Sequence, residues 1–272
     1  LGAHLPGAYR DQLEVLQAVA PSFRGFTAMV FPDFVEAFGA DDPDRSLPAL
    51  EQFTQYSSSE FAIRPFIVRD EAQTMARMRG WTSHASEHVR RLASEGCRPR
   101  LPWAMALPRF KADPSPVLPI LELLKADPSE YVRRSVANNL NDIARDHPRV
   151  TLQVARRWYG TSGVTDALLK RACRTLLKRG DPEALALFGY AERTPARVEG
   201  LRVSRSRLAI GDTLEFRFAV EHDHHEPLAL RVEYHVHFAR ARGLSTRKVF
   251  QIAERLFAPG RHEFVRRHAF AD

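Results

Sequence analysis

Two periods of hydrophobic residues run along the chain. Up to about residue 194, apolar side chains recur at spacings of three and four, with Pro, Gly and Asp between the runs. That spacing predicts a succession of helices. From about residue 197 the period drops to two. Segments 197–204, 213–222, 228–238, 245–257 and 262–270 alternate apolar with polar residues, are rich in Val, Phe and Tyr, and are separated by Gly, Asp or Pro turns. Such a pattern predicts strands, and strands at this spacing predict a small β-sandwich. The expected fold class is therefore a two-domain α + β chain. A helical domain spans 1–194 and a sandwich domain spans 195–272, with the boundary in the segment 191–196 around Thr194-Pro195. The second domain is short for a seven-stranded sandwich, so an edge is expected to be missing or supplied differently.

The helical part contains a degenerate repeat. SEHVRRLASEG (86–96) aligns with SEYVRRSVANN (129–139), with weaker copies in DALLKRACRTL (166–176) and EFAIRPFIV (60–68). Ile63, Val89, Val132 and Leu169 are the matched positions, separated by 26, 43 and 37 residues. These intervals bracket the period of HEAT-like helix pairs, in which each pair needs a neighbour to bury its apolar face. On a helix over 131–145, Val132, Val136, Leu140 and Ile143 form the core stripe. Tyr131, Arg134, Asn138, Asn141, Asp142 and Arg145 are expected on the opposite side. The repeat register aligns Arg91, Arg134 and Arg171 on successive equivalent helices, where a right-handed stack turns them into a basic stripe on one concave wall.

Charge sharpens this picture. The 272 residues carry 40 Lys+Arg against 33 Asp+Glu, and only five of the basic residues are lysines. Arginine suits phosphate because its planar fork matches phosphate oxygens. Residues 1–59 hold three arginines and eight acids, whereas residues 75–111 hold eight basic residues and two acids. A concentrated basic band is what a polyanion requires, since each neutralised phosphate releases counterions; a solvated face on an arginine-rich protein would show the same band. No apolar run approaches the length of a membrane span, and no basic start leads into an apolar stretch. Cys97 and Cys173 lie far apart, form no CxxC pair, and are expected to pack as core thiols in a reducing cytoplasm. P-loop, GxSxG and dinucleotide motifs are absent from the sequence.

Three strings carry more specific information: SSSEFAIRPFI (57–67), LPWAMALPRF (101–110) and SEYVRRSVANNLNDIARDHP (129–148). With them the sequence resembles the DNA-alkylation-repair glycosylases of the AlkC type, HEAT-like-repeat enzymes of which one branch carries an immunoglobulin-like domain. The resemblance covers most of the chain, including its helix-then-strand order. It implies hydrolysis of the N-glycosidic bond of cationic alkylated bases, notably N3-methyladenine and N3-methylcytosine, without a base-flipping pocket. The matching positions for the family's two acids and aromatic are Glu60, Asp142 and Trp103. Arg91, Arg134, Arg171 and Asn138 are the expected DNA contacts. The expected partner is double-stranded DNA with alkylated bases, met by a monomer in the cytoplasm at the nucleoid, with no membrane and no cofactor.

Each site residue also has a local explanation. Glu60 follows Ser57 at capping-box spacing and lies four before Arg64; Asp142 lies three before Arg145; Trp103 precedes an apolar segment and suits a core. Pro65 is expected to kink or break a helix. The histidines His222, His224, His225, His235 and His237 lack a matching acid or Cys at ligand spacing, and no metal site is expected. A non-catalytic HEAT-like scaffold that binds DNA structures or a protein partner is the alternative. It needs no acids facing a groove.

Overall fold

A computed structural model of the chain describes residues 5–190, 194–238 and 246–270. Contacts divide it into two units, Leu1–Arg179 and Gly180–Asp272. The first is helical. Its order is α1 (Tyr9–Val19), α2 (Val30–Phe38), α3 (Pro43–Phe53), α4 (Arg64–Arg69), α5 (Glu71–Trp81), α6 (Glu87–Gly96), α7 (Pro108–Ala112), α8 (Leu118–Leu124), α9 (Glu130–Asp146), α10 (Pro148–Trp158), α11 (Gly163–Ala172) and α12 (Arg174–Arg179). The four repeat positions Ile63, Val89, Val132 and Leu169 are all fully buried. α9 is the centre of the unit and packs against α6, α10, α11 and α12.

The sequence explains where α9 begins and ends. Glu130 in its first turn and Arg145 in its last complement the helix dipole. Pro148 disfavours helical backbone at His147, which ends α9 while the proline opens α10. Val132, Val136, Leu140 and Ile143 form the core stripe as expected. On the opposite side Tyr131, Arg134 and Arg145 are exposed, whereas Asn141 and Asp142 are buried, because the second half of α9 is enclosed by its neighbours. Asn141 Oδ1 accepts from the Thr175 backbone N (3.2 Å) and hydroxyl (2.9 Å). Where α6 meets α9, the hydroxyls of Ser94 and Ser135 are 2.7 Å apart, and Asn139 Nδ2 donates to the Ser94 carbonyl at 2.8 Å. Pro65 does not kink a helix: it stands in the first turn of α4, where a missing N–H costs nothing.

The second unit starts with α13 (Pro182–Leu187), which precedes the change of period at residue 197. Residues 191–193 of the expected boundary segment, and Ser245 at the expected start of the fourth strand, lie outside the described residues. Five strands follow: β1 (Arg197–Val203), β2 (Thr213–His222), β3 (Leu228–Phe238), β4 (Thr246–Phe257) and β5 (Gly260–Ala269). They form two antiparallel sheets, β1-β2-β5 and β3-β4. Period-two alternation turns Phe216, Phe218, Val220 and Phe264 of the first sheet and Leu230, Val232 and Phe257 of the second into one buried cluster. Phe218 and Phe264 sit opposite each other in register, rings stacked at 5.1 Å. Gly200, at φ +63°, stands in the register shift between Glu199 and Arg202, a bulge that needs left-handed backbone.

Candidate active site

Glu60 lies in the turn before α4 and is nearly buried. It neither pairs with Arg64 nor closes a capping box. Its two carboxylate oxygens accept from Arg91 Nη1 at 3.3 Å and Nη2 at 3.4 Å. Arg91, on α6, also donates to Ser58 Oγ at 3.1 Å, and its guanidinium lies 4.7 Å from the centre of the Tyr131 ring, a cation–π contact. One turn along α6, Glu95 stands 3.7 Å from Arg91. Glu95 accepts from Arg98 Nη1 at 2.6 Å, and Arg98 Nε donates to Asp142 at 2.8 Å. Acid and base therefore alternate without a break: Glu60, Arg91, Glu95, Arg98, Asp142. The two acids expected from sequence stand at the two ends of this relay.

All five side chains are at most 16% exposed, so solvent screens the relay little. Burial opposes both arginine charges. Their carboxylate partners outweigh it and raise the Arg91 and Arg98 pKa values above the ordinary one. For Asp142 the balance falls the other way. Burial raises its pKa above the usual aspartate value, against the bond and charge of Arg98. A carboxylate of raised pKa is a better proton acceptor than an ordinary aspartate. Asp142 makes this pair with Arg98, on the loop after α6, instead of with Arg145 three residues on.

Trp103 sits on that same loop, between α6 and α7. It is wholly exposed, not core, and its backbone has φ +63°. Left-handed backbone at a bulky residue costs on the order of 1–3 kcal/mol and persists only where the surroundings enforce it. Arg64 ties the loop down on both sides of Trp103. Its side chain is completely buried; Nε donates to Met105 O at 2.7 Å, and Nη1 donates to Gly96 O at 2.8 Å and Arg98 O at 2.9 Å. Within the loop, Leu107 N donates to Pro99 O at 3.2 Å. Arg100 fixes the outer side through a two-bond pair with Asp146 at 2.7 and 3.0 Å.

The expected phosphate contacts separate into two groups. Arg134 and Arg171 are exposed and line one groove of about 400 Å³ between α9 and α11, with Arg133, Ala167 and Glu130. Asn138 lies one turn from Arg134 and is half-buried. Arg91 does not share the groove, because its guanidinium is taken by Glu60, Ser58 and Tyr131. Glu95, Arg98 and Arg64 were not singled out from the sequence. Arg64 figured there only as a possible pair for Glu60, and the trace of the other two is the spacing of Arg91, Glu95 and Arg98 by four and three residues, which fits one helix face.

In the second unit His222 is buried, with Nε2 3.1 Å from Phe257 O, and His224 stacks on His225. Among the described residues no group of three His, Cys, Asp or Glu side chains could hold a metal ion. No helix among them is long and apolar enough to cross a membrane. Cys97 is fully buried and its thiol is pushed up to about 12 by that burial, which leaves it unreactive at neutral pH.

Comparison with known proteins places this architecture. A family model described as the C-terminal Ig-like domain of uncharacterised protein YhaZ matches residues 197–272. Protein YhaZ of Bacillus subtilis (strain 168) is 50% identical over 250 residues, which cover 92% of this chain and 70% of that protein. The structure of Pseudomonas fluorescens alkylpurine DNA glycosylase AlkC, bound to DNA containing an abasic site analog, matches with a TM-score of 0.95 at 37% identity. That match covers 100% of this chain and 76% of the other. With its helical repeat region, its immunoglobulin-like second domain and these relatives, the chain belongs to the AlkC-type family, in the branch that carries the immunoglobulin-like domain.

Proposed function

We propose that this chain is a DNA glycosylase of alkylation repair that removes cationic alkylated bases such as N3-methyladenine and N3-methylcytosine. The observation that carries the reading is the buried relay with Glu60 at one end and Asp142 at the other, continued by the loop that exposes Trp103. A methyl at N3 makes the base a cation while it is attached. When the C1′–N bond breaks, the electron pair stays with the base, which leaves neutral and needs no general acid. The positive charge passes to the sugar as an oxocarbenium-like transition state. Carboxylates held in place by arginines stabilise that charge without reorganising. The indole face of Trp103 favours the same cation.

Water then attacks C1′, and its proton passes to Asp142, whose raised pKa suits the role. The product is an abasic site. Arg134 and Arg171 contact phosphates from their groove, while Arg91 holds Glu60 in register. Neutral lesions are poor substrates in this scheme, because their bases leave only when protonated. The test is release of N3-methyladenine from methylated duplex DNA, scored against duplex carrying a neutral lesion. Release from the methylated duplex alone supports the reading. No release, or equal release from both, removes it.

A further inference from the structure

Arg64 bonds none of the three relay carboxylates, yet its side chain spans the loop that carries Arg98 and Trp103. It is four residues beyond Glu60 and opens α4. Its three bonds all go to carbonyls of the loop region: Gly96 and Arg98 where the loop leaves α6, and Met105 two residues past Trp103. Nη2 is buried with no hydrogen-bond partner, so Nε and Nη1 make all the bonds of the group. Burial lowers the pKa of Arg64 to about 10, which still leaves it a cation at neutral pH. A structural arginine buried in a helical protein normally finds a carboxylate. This one finds backbone instead, and at both ends of a loop whose tip is a left-handed tryptophan.

Gly96 adds a second constraint. A Cβ there would come 2.6 Å from Ile63 Cγ2, so the end of α6 sits against the residue preceding Arg64. The segment that carries Glu60 and the loop that carries Arg98 and Trp103 are thus locked at close range by one glycine and one guanidinium.

We infer that Arg64 is a positioning residue: it sets the Trp103 tip and the Arg98–Asp142 pair relative to Glu60, acting through the loop backbone. This rests on the glycosylase reading. Arg64→Lys keeps the charge but offers a single nitrogen, which cannot reach both ends of the loop.

The experiment compares wild type, Arg64→Lys, Trp103→Ala and the double variant in single-turnover excision of N3-methyladenine, with duplex affinity measured separately. Arg64→Lys is expected to slow excision by about 10–100-fold with affinity nearly unchanged. In the Trp103→Ala background the same change is expected to slow it by a smaller factor, because one of the two groups being positioned is gone and only the Arg98–Asp142 pair still depends on Arg64. A purely structural role predicts equal factors in both backgrounds, and that result, or a folded Arg64→Lys with wild-type rate, overturns the inference. An inactive wild type instead indicts the glycosylase reading. Trp81 and Trp158 are buried, so acrylamide quenching reports on Trp103 and must change in Arg64→Lys. Should that variant fail to fold, hydrogen exchange on the wild type decides. The Arg64 Nε–H is expected to exchange together with the Leu107 amide that closes the loop, and independent exchange overturns the proposal.

Discussion

Each unit of the molecule buries an arginine between two carboxylates, and the two networks are built differently. In the β unit Arg231 donates to Glu233 at 2.7 Å and to Glu254 at 2.6 Å. Glu254 is its direct register partner across β3 and β4 and also accepts from Gln251 and Tyr190. Glu233 is two residues away on the same strand face. Arg231 and its two carboxylates are neighbours by strand geometry alone, and among the described residues no non-glycine residue near them has left-handed backbone. In the helical unit Arg98 joins Glu95, three residues back, to Asp142, forty-four residues on, and the loop it anchors holds a left-handed Trp103. A network assembled from what the fold already places side by side is a brace. One assembled across the fold, ending in a carboxylate of raised pKa and anchored in the loop that carries a strained aromatic, is what the proposed site requires.

That distinction can be broken by mutation. The largest effect is expected from Asp142→Asn, which should slow base release by about 10³-fold with duplex affinity little changed; Glu60→Gln should cost about 10²-fold. Single-turnover rates check both, and near-wild-type rates in either would put the relay on the same footing as the brace. Arg231→Met should do the reverse. It removes the arginine that Glu233 and Glu254 share and should cost the β unit about 3 kcal/mol of stability. Excision per folded molecule should be untouched; denaturant melts and activity on the same samples separate the two.

A pH profile sharpens the contrast further. Burial raises the Asp142 pKa, so a rate that needs its carboxylate should fall as pH drops through a value above the ordinary aspartate figure of about 3.9. Asp142→Asn should abolish that limb. The sign for stability is opposite: a raised folded pKa means the folded state gains protons first, so this group adds stability as pH falls through it. The smallest effect belongs to the groove. Arg134→Ala and Arg171→Ala should each flatten the salt dependence of DNA affinity by about one unit of slope, while excision from saturated complexes stays unchanged. A slope equal to that of the wild type would remove these arginines from the interface.

The sequence announced the fold more readily than the site. Strands followed from period two, and the repeat register found Ile63, Val89, Val132 and Leu169, each of them core. Local pattern failed where burial comes from distant chain. Asn141 and Asp142 look solvated on the wheel of α9, because the wheel knows nothing of the neighbours that enclose its second half. Glu60 and Asp142 each had a plausible cation three or four residues away, and each instead found an arginine from the α6 region, thirty-one and forty-four positions distant in sequence. Their candidacy came from resemblance to a family, not from spacing. Arg64 was read only as a possible pair for Glu60 for a related reason: its actual partners are main-chain carbonyls, which no sequence pattern displays.

The twisted backbone under Trp103 also bears on how such a protein can be hardened. Asn or Gly at that position would sit more comfortably in the same conformation. A screen that rewards heat resistance alone would therefore drift toward discarding the indole, and with it the repair reaction we ascribe to the molecule. Durability and turnover pull against each other at a single residue, and any campaign to toughen this scaffold should fix position 103 before it begins.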